Sequence, residues 1–70
     1  MEKNIRVEMI KEYMTKNGYN KTDFCKACKI SLKTLNLVLS DEIKILALEK
    51  IAREMKVNLL DLLKRKNATD

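Results

Sequence analysis

A chain of 70 residues with no proline and a single glycine, Gly18, lacks the turn formers that a β-sandwich or barrel consumes at every strand reversal. Apolar residues instead recur at helical spacing, so an all-α fold is expected. The length allows one small domain, and a chain this size buries only about 60% of the surface its unfolded form exposes. Histidine and tryptophan are absent. Without histidine the commonest neutral-pH acid/base and the commonest metal ligand are both missing. A catalytic site would need carboxylates, lysines or the two thiols, and no paired spacing of these stands out, so no enzyme activity is expected.

Fifteen basic against ten acidic side chains leave a net charge of +5. On so small a body this favours an anionic partner, nucleic acid first, against the plainer reading that lysine keeps the chain soluble. No apolar run approaches the ~18 residues that span a bilayer, and no export pattern is visible. The expectation is a cytoplasmic protein with no membrane partner, no cofactor and no small-molecule ligand.

The spacing of Val7, Ile10, Tyr13 and Met14 predicts a first helix over about 5–17, ended by Gly18 in the left-handed conformation. Asn20 followed by Asp23 marks the start of a second helix with Phe24, Ala27 and Cys28 inward. Ser31 caps a third, over about 32–40, with Leu35, Val38 and Leu39 inward and Lys33, Asn36, Leu37 and Ser40 on the opposite arc. Ser31 comes only three residues after Cys28, so these two helices must meet at a steep angle. Leu48, Ile51, Ala52 and Met55 define a fourth helix, and Asn58 with Asp61 opens a short fifth one carrying Leu59, Leu60, Leu62 and Leu63. Residues 1–66 are expected to form one domain, closed by the cations Lys64, Arg65 and Lys66, with 67–70 as a frayed tail. Ile5, Met9, Leu46 and Leu60 fall off the inward faces. They suggest self-association, or else an N-terminal segment and a fifth helix that wrap the core more fully.

Between Lys21 and Ser40 the chain resembles the helix-turn-helix of the phage repressor/Cro-like (XRE-type) DNA-binding proteins. Counting Lys21 as the first position, Phe24, Cys28, Ile30, Leu35 and Val38 occupy the apolar fourth, eighth, tenth, fifteenth and eighteenth, and Cys25 the small fifth. The lead-in Lys16-Asn17-Gly18-Tyr19 and the run Leu48 to Leu59 extend the likeness over about Val7 to Leu63. Lys29 stands at the ninth position, where the family usually has glycine for a positive φ. The resemblance implies a compact five-helix bundle of the lambda-repressor-like type. It also implies a transcriptional regulator, associated with the nucleoid of a bacterial or phage-infected cell, that occupies a palindromic operator on double-stranded DNA as a homodimer.

A helix matches the width of the major groove, so one held outward on a scaffold can touch base edges. The candidates for base contact are Leu32, Lys33, Asn36 and Leu37: lysine pairs with guanine, asparagine with adenine, leucine with a thymine methyl. Lys21, Ser40 and Lys44 are the candidates for phosphate contact. The alternative is a non-catalytic protein-interaction module of the same fold, a phage accessory type, docking through its leucine-rich third helix. Cys25 and Cys28 form a C-x-x-C, but two ligands fall short of the four a structural zinc needs, and both fall on the inward side. They are expected to be small buried apolar side chains, with no metal.

Overall fold

The computed structural model describes residues 4–63. Among them the backbone forms α1 (Val7–Lys16), α2 (Lys21–Cys28), α3 (Leu32–Leu39), α4 (Ile45–Met55) and α5 (Leu59–Leu62). One isolated antiparallel bridge joins Ile5 to Leu63. The architecture is the expected all-α bundle. The cations at 64–66 and the tail at 67–70 lie outside the described residues.

Local sequence explains most helix ends. The Asn20 side chain accepts from the Asp23 N–H at 2.7 Å, and Ser31 Oγ accepts from the Thr34 N–H at 3.1 Å. Each satisfies one of the orphan donors of a first turn. Asp61 reaches back to accept from the Asn58 N–H at 3.2 Å, so the two residues expected to open α5 do so. Each of the first four helices is followed by a left-handed residue: Gly18 (φ 71), Lys29 (φ 62), Asp41 (φ 75) and Lys56 (φ 60). After α1, α2 and α4 the next N–H turns back onto the helix: Tyr19 to the Met14 carbonyl, Ile30 to Cys25, Val57 to Ala52. Three of the four left-handed residues carry a side chain, at a cost of about 1–2 kcal/mol each.

The core is continuous. Ile5, Val7, Ile10, Phe24, Leu35, Val38, Leu48, Ile51 and Leu62 are essentially inaccessible, and Met14, Cys25, Cys28, Ala47 and Ala52 complete the cluster. The Phe24 ring forms a triangle with two tyrosine rings, 6.0 Å from Tyr13 and 5.7 Å from Tyr19, which stack on each other at 6.2 Å. Both phenols terminate on Glu54 of α4: Tyr13 donates to its backbone carbonyl and Tyr19 to Oε2, each at 3.1 Å. That arrangement lets two polar groups border an apolar core without losing their hydrogen bonds.

Several expectations need correction. Ile5 does not extend α1. It pairs with Leu63, its neighbour Arg6 donates to the Leu62 carbonyl at 2.8 Å, and its side chain is fully buried. The N-terminal segment therefore wraps the core, and Ile5 is not part of a self-association face. The third helix ends at Leu39, one residue before Ser40. Leu39, Met55 and Ala27 are half-buried at the edge of the core. Leu37, placed on the outward arc, is half-buried too; the chain turns after α3, where the Glu42 N–H donates to the Leu37 carbonyl at 2.9 Å.

Candidate nucleic-acid interface

The three residues Lys29, Ile30 and Ser31 connect α2 to α3. Lys29 takes the left-handed conformation that its place in the motif demands, and its carbonyl accepts from Lys50 Nζ of α4 at 3.4 Å. The turn is thus braced from a neighbouring helix. Ile30 tucks half-buried against the core, and Ser31 starts α3 through its cap. Short connection, cap and brace together fix the angle at which α3 leaves α2.

Leu35 and Val38 anchor α3 from behind, both fully buried. On its other side Lys33, Asn36 and Ser40 are exposed and Leu32 is 45% exposed. The helix is therefore presented outward along Leu32, Lys33, Asn36 and Ser40, with Leu37 recessed. Lys21, in the first turn of α2, donates from Nζ to the Asn36 amide oxygen at 3.4 Å. A residue expected at phosphate and one expected at a base edge are thereby brought side by side. Lys44 precedes α4 as an exposed residue whose side chain makes no cap.

Two acidic residues follow α3. Glu42 is exposed. Asp41 is turned to the protein: its carboxylate accepts from the Asn4 N–H at 2.9 Å and from the Ile5 N–H at 2.8 Å. Its left-handed φ, which aspartate tolerates better than most residues, is a local property, but its partners lie far away in the chain and no spacing announces them.

Cys25 and Cys28 are free thiols inside the core. Burial pushes both above the usual thiol range. For Cys28, with Glu54 and Cys25 adding to the effect, the pKa is pushed up to about 12. Burial first, then Glu54, also raises Tyr13, while the hydrogen bond to Glu54 leads for Tyr19. These thiols therefore behave as small apolar side chains. Among the described residues no three His, Cys, Asp or Glu come together as a metal site, and no helix is long and apolar enough to cross a membrane.

No curated protein and no solved structure matches the chain significantly. The sequence profile of the Cro/C1-type HTH DNA-binding domain matches residues 9–68, spanning all of the helix-turn-helix just described and most of its supporting core. The chain belongs to the Cro/C1-type helix-turn-helix DNA-binding domain family.

Proposed function

We propose that this protein is a sequence-specific transcriptional regulator that reads double-stranded DNA with α3. The observation that carries the reading is the outward arc of α3 with Lys21 poised against it. Leu32, Lys33, Asn36 and the recessed Leu37 face base edges, while Lys21, Ser40 and Lys44 hold the flanking backbone. The Asp41 carboxylate is occupied by backbone amides, which limits the repulsion it would exert on phosphate.

The chain acts as a homodimer on a palindromic operator, with half-sites about 10 bp apart centre to centre. Support for the second copy comes from α5. Leu60 is 60% exposed beside a groove shared by Arg6, Met9, Asp61 and Leu63, and a second groove continues from Met9 past Tyr13 to Met55 and Val57.

Selection of bound fragments from a random duplex library tests this reading. A palindromic consensus, with affinity falling on a log-log salt slope of about −0.9 per neutralised phosphate, is the expected result. Absence of binding even at low ionic strength would favour a protein-interaction module instead. That second reading draws on Leu32 and on Ile43, Ile45 and Leu46, which are 45%, 47%, 45% and 75% exposed.

A further inference from the structure

We propose that Asp41 is a positioning residue for DNA reading: its carboxylate clasps the N-terminal segment and fixes the direction in which α3 presents its outer arc. The proposal rests on the reading of α3 as the DNA-contacting helix. Asp41 is pinned at its own end, because its N–H donates to the Val38 carbonyl at 2.9 Å in the last turn of α3. From there Oδ1 accepts from Ile5 at 2.8 Å and from Asn4 at 2.9 Å, and Oδ2 takes a second share of the Asn4 N–H at 2.9 Å. Bonds from N–H groups to an ionised carboxylate are roughly twice as strong as neutral ones.

The segment so gripped is not a loose end. Ile5 is fully buried and bridged to Leu63, and Arg6 donates to the Leu62 carbonyl. The end of α3 is thereby tied, through three consecutive residues, to α5 and to the start of α1. A tilt of α3 about the Ser40–Asp41 turn must break the clasp or pull Ile5 from the core. Asp41 holds this place in a left-handed conformation (φ 75) that costs a side chain strain, and it puts a negative charge directly after Ser40 in the chain and three residues before Lys44. A residue chosen for backbone comfort or for phosphate attraction would be glycine or asparagine. The carboxylate answers instead to the two amides.

Amide hydrogen exchange and DNA discrimination test the clasp in the full-length chain. Asp41→Gly relieves the backbone and removes both charge and acceptor; Asp41→Asn keeps the backbone preference and one acceptor oxygen. Both are expected to melt cooperatively. In Asp41→Gly the Ile5 amide exchanges faster by about tenfold or more, the equivalent of one hydrogen bond to a charged group, while the Leu48 and Ile51 amides of α4 do not change. Discrimination between the selected duplex and a scrambled one falls, although affinity for the scrambled duplex is equal or higher because a negative charge is gone. Asp41→Asn falls between the parent and Asp41→Gly. Unchanged Ile5 exchange, or undiminished discrimination in Asp41→Gly, overturns the proposal. A parent chain that itself fails to discriminate sinks the DNA reading, and the positioning role with it. A discriminating parent whose Asp41→Gly variant discriminates equally well sinks the clasp alone.

Discussion

Lys21 Nζ and the Asn36 amide oxygen lie 3.4 Å apart, joining the first turn of α2 to the middle of α3. Recognition of adenine by asparagine needs the amide held one way round, since its oxygen accepts from N6 while its NH2 donates to N7. A lysine on the oxygen imposes that orientation before DNA arrives. Lys21→Met is therefore expected to weaken binding to every duplex and also to blunt the preference that Asn36→Ala removes. In a double-mutant cycle read by DNA affinity, the pair should couple by at least about 0.5 kcal/mol. Strict additivity would show that the two side chains act separately.

The left-handed residues make opposite predictions according to what occupies them. A Cβ at Gly18 meets nothing within 4 Å, so Gly18→Ala carries only the backbone penalty, about 1 kcal/mol. Thermal melts should show a drop of about 4–8 °C for a domain this size. Lys29→Gly and Lys56→Gly remove the same penalty, offset in part by the greater freedom of an unfolded glycine, and should gain up to about 1 kcal/mol. A loss of stability in both would mean that the lysine side chains contribute packing that outweighs φ.

Alkaline pH should destabilise the fold through Cys28. Its ordinary value is 9.0 and in the folded protein it is pushed up to about 12. Below pH 9 the thiol is protonated whether the chain is folded or not, and nothing is lost. Between the two values the unfolded chain has released the proton while the folded chain still holds it, so stability falls as pH rises. Denaturant melts from pH 8 upward should show a shallower decline in Cys28→Ala than in the parent. The same burial predicts that neither thiol is alkylated at neutral pH until the protein unfolds.

Two leucines of α5, one on each side of Asp61, should separate assembly from folding. Leu60 is 60% exposed, whereas Leu62 is fully buried. Leu60→Lys is expected to leave the melting temperature of the monomer nearly unchanged and to abolish dimers in light scattering. Leu62→Ala should cost about 2–5 kcal/mol, a large part of the stability available to a domain of this size. Dimers that persist in Leu60→Lys would place the self-association face elsewhere.

How much of the fold is legible in the sequence depends on how far each interaction reaches along the chain. Asn20, Ser31 and Asn58 announce helix starts because a cap bonds within three residues. The left-handed turn at Lys29 is implied by the family resemblance, since a lysine announces no positive φ by itself. The inward face of the helix-turn-helix was legible locally: Phe24, Cys28, Leu35 and Val38 repeat at helical spacing. Ile5 was not, since its partner Leu63 stands at the opposite end of the domain and a helical wheel drawn through α1 excludes it. Leu37 is half-buried rather than outward, and a wheel drawn through α3 holds no information on what lies beyond that helix. Sequence alone determined the five helices and the caps that open three of them, which follow from local periodicity and backbone chemistry, while the bundle type and the family followed from the resemblance its motif carries. Only the tertiary structure decided that Lys21 meets Asn36 and that Asp41 grips Asn4 and Ile5, because contacts between distant residues depend on how the helices pack.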